Sequence, residues 1–547
     1  MVAHLLFQRG YSDAEAITGI LGGSPIQHDP LLMPDMREAA ERIGRAAAGQ
    51  ESVAVYGDFD ADGLTASAIM LETLRRRGVD PIVIIPSRDE GHGLSVERVR
   101  ELASRGVTLL ITADCGIGDI EQIGVARAAG MDVIVTDHHE PEASGVLPDA
   151  LVVSPTRLDS RYPFRGLSGA GVAYKVSQAV LRTRDEYEQL LDLAAFGTIA
   201  DVVPLRDENR SIVISGLKRL RATERCGLRA LFKVAKIDSR YLDSASVGYY
   251  LGPRINAANR LADPRVAFDL FIASDPAEAD RIALELNDHN STRQEKVKSA
   301  LADAVQQLGS PSMTKELIRA GDRVPLVSVM GDWGPGISGL LASELADRYC
   351  VPAFVASARE DGTIAASARS VPGVNVLELQ NIARASYPEL FLAGGGHSFA
   401  CGFTTDPDSI GPAFAALGEA ARGRVPLEAL EPVVDVDAQI SLRQVDMRSL
   451  ELVESLGPYG KDFSEPLFLT RGVTLAARRR MGDNGQHLKM LAKSRNTRVS
   501  AISFSCDPEL LELSEDCRVD IIFHIQRDYY DGLVRPQLQI KDWRPSD

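Results

Sequence analysis

The chain has 547 residues, too many for one hydrophobic core, and this length predicts about three domains. With 45% hydrophobic and 25% charged residues it is typical of soluble globular proteins, and no apolar run approaches the ~20 residues of a membrane span. The formal charge of −16 argues against a protein that coats nucleic acid indiscriminately, although it leaves room for one basic face. The N-terminus becomes polar too early for a signal peptide, so we expect a cytoplasmic protein that does not contact a membrane. The six cysteines are scattered without a CxxC pair, so neither a zinc ribbon nor a disulfide framework is expected.

Residues 1–50 are predicted to form a helical lead-in, and from there to about residue 205 short apolar runs alternate with helix-like segments. Five of the runs are predicted to be buried strands: VAVYG, VDPIVIIP, VTLLITA, DVIVT and ALVV. This alternation is typical of an α/β domain with a parallel, doubly wound sheet. In such sheets ligands bind at the carboxyl ends of the strands.

Three aspartates follow the first strand at alternate positions, Asp58, Asp60 and Asp62, and a helix-like segment begins directly after them. Carboxylates at this density repel one another unless a cation holds them, and their oxygens are the preferred ligands of hard divalent metals. Calcium loops and solvated turns contain similar strings, so this segment alone leaves both interpretations open.

The same arrangement recurs later in the chain. Asp114 follows the third strand, and Asp137, His138 and His139 follow the fourth. We interpret Asp201, which follows the apolar run LAAFGTIA, as a further acid at a strand end. Because parallel strands end at the same edge of a sheet, these residues and the first three aspartates are predicted to form one metal site. The glycine-rich loop SRDEGHGLS is expected at the same edge.

Three segments follow the sheet. Residues 217–236 carry seven basic residues and one glutamate. We interpret these charges as the solvated face of a helix pair. The motif LGPRINAANR at 251–260 is predicted to be a turn that carries Arg254 and Asn256. Residues 276–308 are polar and contain no helix breaker, which predicts one long helix that could bridge two domains.

A second α/β unit is predicted to begin near Arg323. We expect turns after its strands at 334–336, 367–370 and 394–397. The glycines of the first and third turns let a backbone approach phosphate closely. Glycine-rich turns also occur in ordinary hairpins, so this signal is weak on its own.

After residue 426 the pattern changes to about five short strands, which predicts a small β-barrel of the OB type. Residues 471–498 contain eight basic residues and a single acid, Asp483, so the barrel has a basic face in an acidic chain. A basic barrel face with interleaved aromatic residues is common in proteins that bind single strands, and an incidental basic surface is the alternative.

The motifs GDFDADG, TADCG, TDHHE, GTIADVVPL, LGPRINAANR and GGGHSFACG occur in this order. With them the chain resembles the DHH phosphoesterase family, and over nearly its whole length it resembles the members that digest single-stranded DNA from the 5′ end. The terminal segments GPYGKDFSEPLF and PQLQIKDW, which resemble the OB region of those exonucleases, distinguish it from the smaller members. The resemblance implies a lead-in at 1–50, a DHH catalytic domain at 51–270, a connecting helix at 271–310, a DHH-associated α/β domain at 311–425 and an OB-fold domain at 426–547.

The resemblance also implies roles for individual residues. Asp60 and Asp62 are metal ligands, Asp114 bridges two metals, His138 and Asp201 complete the second site, and Asp58 lies close enough to join. Asp137 is not itself a ligand but orients His138 and fixes its tautomer. His139 points to the scissile phosphate. By the resemblance, Arg254, Asn256, Ser367, Arg369 and His397 face the DNA end and its phosphates. From the residues themselves we add, as nucleic-acid-binding candidates, Gly395 and Gly396 for their backbone and Arg478, Arg479 and Arg480 on the basic face of the barrel.

Two positions depart from the family pattern. Gly334 stands where the family usually has His, and Asn259 stands where it usually has Gly. Neither matches a metal ligand. The first weakens the expectation of phosphate contacts from its loop, and the second could change how Arg254 is presented.

A mixed Asp and His ligand set favours two Mn²⁺ ions, with Mg²⁺ as a possible substitute. The predicted function is therefore a 5′–3′ exonuclease of single-stranded DNA that acts in DNA repair and recombination. The alternatives are a DHH phosphodiesterase or pyrophosphatase acting on small nucleotides and a non-catalytic DNA-binding relative. The resemblance suggests a single-strand-binding protein and a helicase as partners, and we expect a monomer.

Overall fold

The structure is a computed structural model, and it describes residues 2–14, 17, 20–21, 25–141, 144–430, 433–482, 485–504, 508–514, 516–530 and 533–546. The chain divides into two compact units. The first comprises Met1–Asn256, Pro264–Ala283 and Asp435–Asp547, and the second comprises Ala257–Asp263 and Leu284–Val434. Asp483 and Cys506 lie outside the described residues.

The helices are α1 (Val2–Gln8), α2 (Met36–Gly49), α3 (Ala61–Arg76), α4 (Val96–Ser104), α5 (Ile120–Ala128), α6 (Gly169–Val180), α7 (Arg184–Glu188), α8 (Leu191–Ala200), α9 (Asp207–Arg221), α10 (Cys226–Val234), α11 (Gly252–Leu261), α12 (Pro264–Ile272), α13 (Pro276–Leu308), α14 (Pro311–Ala320), α15 (Pro335–Tyr349), α16 (Val376–Ser386), α17 (Ile410–Ala421), α18 (Met447–Leu456) and α19 (Pro508–Glu512). In the described part of the chain, no helix is both long enough and apolar enough to cross a bilayer.

The strands are β1 (Val53–Gly57), β2 (Ile82–Ile84), β3 (Leu109–Ala113), β4 (Asp132–Thr136), β5 (Leu151–Val153), β6 (Val327–Met330), β7 (Ala353–Ala358), β8 (Ile364–Arg369), β9 (Ala393–His397), β10 (Ala400–Thr405), β11 (Ala438–Gln439), β12 (Phe468–Met481), β13 (His487–Ser494), β14 (Thr497–Ser503), β15 (Arg518–Tyr530) and β16 (Leu533–Pro545).

The first sheet has the order β2-β1-β3-β4-β5 and its strands are parallel, as the alternation of strands and helices predicts. Strands β1 and β3 are buried along their whole length, which explains why they are continuous apolar runs without alternation. All five predicted strands are present. Helix α3 is buried at thirteen of its sixteen residues and packs against α6 and α8.

Asp201 does not follow a strand. The apolar run before it forms α8, and Asp201 is the residue at the C-terminal end of that helix. The prediction of a strand was wrong because a helix that is surrounded by protein is apolar on all faces and so lacks the helical period. Its Leu and Ala residues, which favour helices, are the signal that was available.

The second unit contains a mixed sheet with the order β6-β7-β8-β10-β9, in which β6 and β7 are parallel and the other pairs are antiparallel. The segments expected as turns at 367–370 and 394–397 lie largely within strands β8 and β9. Glycines at 394–396 had indicated a turn, but here they form an exposed edge strand. The predicted turn at 251–260 is also wrong, because Gly252–Leu261 is helical.

The C-terminal strands form a sheet with the order β11-β12-β13-β14-β16-β15 that closes through pairing of β12 with β15, which confirms the predicted barrel. Leu5 and Leu6 of α1 are buried in the core of this barrel. Arg9, just after α1, donates to Oδ1 of Asp437 at 2.7 Å. The first part of the predicted lead-in therefore packs with the C-terminal barrel, a contact between sequence-distant segments that local patterning does not reveal.

Candidate metal centre

The acids of the candidate centre lie at one edge of the first sheet. Asp58, Asp114 and Asp137 each follow the last residue of a neighbouring parallel strand, β1, β3 and β4. All three side chains are buried. Asp114 has a φ of +68°, a left-handed conformation that Asp tolerates better than most residues and that turns the chain sharply at the strand end.

Asp60 and Asp62 are held by helix N-termini. Oδ1 of Asp60 accepts hydrogen bonds from the backbone N–H groups of Asp62 at 2.9 Å and Gly63 at 3.1 Å, so Asp60 caps α3. The carboxylate of Asp62 accepts from the first two N–H groups of α6, those of Gly169 at 2.7 Å and Ala170 at 2.9 Å. Both carboxylates therefore lie where helix dipoles favour negative charge.

The close approach of α6 requires a glycine. A Cβ atom placed on Gly169 would lie 2.3 Å from Oδ1 of Asp114. Since any larger residue would displace Asp114, Gly169 allows this helix N-terminus and Asp114 to share the edge of the sheet.

His138 lies among three of these acids. Its Nε2 atom is 3.2 Å from Oδ1 of Asp114, 3.7 Å from Oδ2 of Asp201 and 3.9 Å from Oδ2 of Asp62. Asp201 thus reaches the same cluster from the end of α8, although it does not follow a strand.

Asp137 organises the turn after β4. Its Oδ1 atom accepts from the backbone N–H groups of His138 and His139 and lies 2.7 Å from Nδ1 of His139, while Oδ2 accepts from the N–H of Ile117 at 3.0 Å. The expectation that Asp137 orients the ring of His138 needs correction, because its partner ring is that of His139. His138 is instead held through its backbone N–H, which donates to Oδ1 of Asp137 at 2.7 Å.

The carboxyl groups destabilise one another's charged forms. Burial, together with repulsion from Asp58 and Asp62, raises the pKa of Asp60 to about 6. Burial and the neighbouring acids also raise the pKa of Asp114 and of Asp201 well above their usual range, and burial raises that of Asp62. Asp137 differs: burial opposes its ionisation, but its hydrogen bonds with His139 and Ile117 lower its pKa to about 2.

The residues present fit divalent metal ions. Three groups of side chains each offer ligand atoms within 4.8 Å of one another: Asp58, Asp60 and Asp114; Asp62, His138 and Asp201; and Asp114, His138 and His139. Oδ1 of Asp114 is buried and accepts no hydrogen bond from any residue that the structure describes. A cation bound here would be the partner that this buried oxygen lacks. Oxygen ligands with imidazole nitrogen suit Mn²⁺, and Asp114 belongs to two of the groups, as expected for adjacent ions.

His92 is a residue of this edge that the sequence analysis did not single out. Its Nδ1 atom lies 3.1 Å from Oδ1 of Asp58, and its ring makes an edge contact with His139, with centroids 4.8 Å apart. The contact with Asp58 raises the pKa of His92 to about 9. The signal was present, because His92 lies between two glycines in the loop predicted to reach this edge.

The predicted nucleic-acid contacts in the first unit have structural partners. Oδ1 of Asn256 accepts from the N–H of Ala61 at 2.9 Å and so holds the start of α3. Nη1 of Arg254 donates to the carbonyl oxygen of Tyr250 at 2.6 Å. In the barrel, Arg478 donates to the carbonyl oxygens of Leu510, at 2.8 Å, and Leu513.

Arg479 and Arg480 follow on β12 and are exposed. Arg478 therefore anchors the segment containing α19, whereas its two neighbours remain available at the surface. A role of all three in nucleic-acid binding stays a prediction.

In the second unit, strand pairing brings four of the predicted residues into two adjacent rows. Arg369 and His397 both pair with Ala400, and Ser367 and Gly395 both pair with Gly402. Residues in register on neighbouring strands share one face of a sheet. Gly396 belongs to the alternate row and has a φ of +136°, which favours glycine.

The two departures from the family pattern lie in the same unit. Gly334 precedes α15 with a φ of +81°, and Asn259 is buried in α11. Their effects on DNA contacts remain predictions.

Comparison with known proteins gives three family matches. The model described as DHH family, N-terminal domain, matches residues 52–198, the DHHA1 domain matches residues 324–423, and the RecJ OB domain matches residues 436–542. Among curated proteins, the single-stranded-DNA-specific exonuclease RecJ of Bacillus subtilis is 35% identical over 100% of this chain and 68% of its own length. The RecJ of Haemophilus influenzae is 30% identical over 95% of this chain and 92% of its own length.

Solved structures agree with these matches. A crystal structure of RecJ in complex with Mn²⁺ from Thermus thermophilus has a TM-score of 0.81 and 29% identity, and it covers 100% of this chain and 76% of its own. A second structure of RecJ from the same organism, in complex with Mg²⁺, has a TM-score of 0.75 and 27% identity over 100% of this chain and 74% of its own. By sequence, by domain order and by fold, the chain belongs to the RecJ family of DHH proteins.

Proposed function

We propose that this protein is a metal-dependent exonuclease that hydrolyses single-stranded DNA from its 5′ end. The relatives described above are named single-stranded-DNA-specific exonucleases, and solved structures of RecJ contain Mn²⁺ or Mg²⁺. The observation that carries the proposal is the set of three ligand groups, which overlap because Asp114 belongs to two of them and His138 to two.

The chemistry follows from the ligand set. Two divalent ions bound here lower the pKa of a water molecule and neutralise charge on the phosphoryl oxygens. We assign Asp58, Asp60, Asp62, Asp114, His138 and Asp201 as the residues that hold them. Burial and repulsion from neighbouring carboxylates raise the pKa values of Asp60, Asp114 and Asp201, and bound cations would relieve that repulsion.

His139 is assigned to the scissile phosphate. Its Nδ1 atom faces Asp137, which has a pKa of about 2 and is ionised at neutral pH. An ionised carboxylate keeps the proton on Nδ1 and fixes the ring, so that Nε2 is directed away from Asp137. The side chain of His139 is 39% exposed, far more than the buried acids, as a residue that meets substrate must be.

The two rows on the second sheet are proposed to contact the phosphates of the strand end. Arg369, Ser367, His397 and Gly395 share one face, and Gly395 leaves open space where a side chain would project. An arginine on the same face of a sheet as an exposed glycine strand suits a terminal phosphate. We therefore expect a 5′-phosphate to accelerate digestion and Arg369→Ala to remove most of that preference.

The barrel favours a polynucleotide over a small nucleotide as substrate. A phosphodiesterase or pyrophosphatase acting on small molecules has no use for an OB domain, whereas a single strand needs a binding surface beyond the reacting phosphate. The full set of carboxylates argues against a non-catalytic relative. A single-strand-binding protein and a helicase as partners, and a monomeric state, belong to this proposal as further expectations.

The test is digestion of single-stranded DNA labelled at either end, with Mn²⁺, with Mg²⁺ and with EDTA. We expect metal-dependent release of the 5′ label as mononucleotide at early times, and no cutting of a closed circular strand. Asp149→Asn is the matched control, because this acid is 86% exposed and lies outside the ligand groups. Digestion from the 3′ end, cutting of the circle, or full activity in EDTA would overturn the proposal.

A further inference from the structure

His92 contacts both functional parts of the candidate metal centre. It lies in the loop of residues 87–95, between β2 and α4, and we call this segment the His92 loop. Among the described residues, the three ligand groups do not include it. Its side chain nevertheless lies against Asp58, which is assigned to the metals, and against His139, which is assigned to the scissile phosphate. One side chain therefore connects the two parts of the site.

The backbone around His92 is fixed by its neighbours. Gly91 and Gly93 have φ values of +92° and +94°, which other residues rarely adopt. The N–H of Leu94 donates to Oδ2 of Asp119 at 2.8 Å, and a Cβ atom placed on Gly93 would lie 2.6 Å from the same oxygen. The loop is thus seated on Asp119 by a close approach that only glycine permits.

The first half of the His92 loop is held as well. Ser87 and Glu90 form a reciprocal capping box, and Oε2 of Glu90 lies 3.0 Å from Nε of Arg98 in α4. His92 is therefore presented by a loop that is anchored on both sides. Such support is what a residue needs if it is to hold other side chains in place.

The first contact of His92 is with Asp58. Its Nδ1 atom lies 3.1 Å from Oδ1 of Asp58. That oxygen is buried and has no aligned hydrogen-bond donor among the described residues, so the imidazole nitrogen is the polar group placed to serve it. Carboxylates that bind metals are themselves held by such outer partners, which orient them toward the ion.

The second contact is with the ring of His139. The rings of His92 and His139 meet edge to face, with centroids 4.8 Å apart. The ring of His138 is tilted against His139 with centroids 4.6 Å apart, and Oδ1 of Asp137 lies 2.7 Å from its Nδ1. Because the side chain of His139 is 39% exposed, few groups surround it, and each of these contacts matters for the direction of its ring.

We propose that His92 is a positioning residue that holds the carboxylate of Asp58 and the ring of His139 in the arrangement that the reaction needs. The part that concerns His139 rests on the proposed function, whereas the part that concerns Asp58 rests on the metal centre alone. Two separable effects follow. Loss of the contact with Asp58 should weaken Mn²⁺ binding, and loss of the contact with His139 should slow the reacting step.

The test separates the two contacts with three variants of the full-length protein. His92→Asn places an amide nitrogen near the position of Nδ1, so it keeps a donor for Asp58 but has no ring. His92→Phe keeps a ring against His139 but has no donor, and His92→Ala lacks both. The side chain of His92 is 47% exposed, so the variants should fold, which melting temperatures check. His4→Ala is the matched control, because this exposed histidine contacts the carbonyl oxygen of Asp437 instead.

Calorimetry measures Mn²⁺ binding without substrate, and digestion of single-stranded DNA at saturating Mn²⁺ measures kcat and KM. We expect the Phe and Ala variants to bind Mn²⁺ about 10- to 100-fold more weakly with the same number of ions, and the Asn variant to bind it like the wild type. We expect the Asn and Ala variants to lose about 10- to 100-fold in kcat, and the Phe variant to retain most of it. KM should change less than kcat, because His92 positions groups and does not bind the strand.

Equal Mn²⁺ affinity in the wild type and His92→Ala would overturn the contact with Asp58, and equal kcat would overturn the contact with His139. Fewer ions bound by His92→Ala would make His92 a metal ligand, and equal losses of kcat in all three variants would give it a direct role in the reaction. Either result would overturn positioning. If the wild type binds Mn²⁺ but does not digest single-stranded DNA, the proposed function fails, while the Mn²⁺ affinities still decide the contact with Asp58.

Discussion

Glu208 and the acids of the candidate metal centre, all in the first unit, have opposite surroundings. Glu208 is paired with Nζ of Lys175 at 2.7 Å and also accepts from the hydroxyl of Tyr162 at 2.5 Å and the N–H of His28 at 3.1 Å. The ligand acids of the candidate metal centre instead lie against one another and the ring of His138, and Oδ1 of Asp114 accepts no hydrogen bond within the described part of the chain.

The difference distinguishes an acid that stabilises the fold from one that serves the reaction. A buried charge with a complete set of partners is costly to disturb, because removing one partner leaves the other uncompensated. A buried charge with an incomplete set destabilises the protein until a cation binds. Loss of an acid should therefore have opposite effects on stability in the two places.

The largest expected effect is the loss of activity in Asp114→Asn. This change removes a charge that two ligand groups share but keeps the shape of the side chain, and Asn tolerates the left-handed backbone. We expect nuclease activity to fall by at least about a thousandfold, the upper range for removing one group that stabilises transition-state charge. The melting temperature in EDTA should stay level or rise. A clear fall in the melting temperature would show that Asp114 stabilises the fold, as Glu208 does.

The largest expected effect on stability concerns Lys175→Met. Lys175 and Glu208 are both buried, so this change leaves Glu208 uncompensated, and we expect a loss of about 3–5 kcal/mol of unfolding free energy. Lys233→Met, which breaks an exposed pair with Asp280, should cost at most about 1 kcal/mol. Chemical denaturation measures both. Equal losses would remove the distinction between the buried and exposed pairs.

Asp137→Asn sharpens the comparison, because Asp137 lies in the metal centre but is fully partnered like Glu208. We expect activity to fall by about 10- to 100-fold, as when the partner of a metal-site histidine is changed. Because the folded-state pKa of about 2 lies below the ordinary value, Asp137 contributes stability above about pH 4 that is lost as pH falls towards 2. The variant should be less stable than the wild type at pH 7, and thermal melting should show a clearly smaller difference at pH 2.5.

The smallest expected effect is that of Glu465→Gln. Burial raises the pKa of Glu465 to about 7, although Lys541 opposes this. A raised pKa means that the folded state binds the proton more tightly, so the wild type loses stability as pH rises from about 4.5 to about 7. The variant should gain on the order of 1 kcal/mol over the wild type at pH 8 and little at pH 4.5. An equal gain in stability at pH 4.5 and pH 8 would show that Glu465 does not lose its proton between these pH values.

Much of the fold followed from local sequence signals. Each strand of the first sheet was a short apolar run bounded by turn residues, and each was found. The acids of the metal centre could be grouped because parallel strands end at one edge. Asp201 joined the group although its helix was mistaken for a strand, since both elements are apolar when buried.

The rest depends on contacts that no local pattern encodes. The burial of Leu5 and Leu6 in the C-terminal barrel requires pairing across more than four hundred residues of chain, as in the Arg9 to Asp437 bond. The ring partner of Asp137 depends on the path of a turn, which the order of residues does not fix. The glycines of β9 formed an edge strand because β10 was available to pair with them.

The most direct measurement is the number of Mn²⁺ ions bound per chain, by titration calorimetry of the metal-free protein. If the assigned acids and His138 form a two-metal centre, the wild type and Asp149→Asn bind two ions, and Asp114→Asn binds fewer. The wild type should also gain about 2.7 kcal/mol of stability for each ion bound when Mn²⁺ is present at a hundred times its Kd. Absence of saturable binding by the wild type, or two ions bound unchanged by Asp114→Asn, would contradict the assignment of these acids as the metal centre.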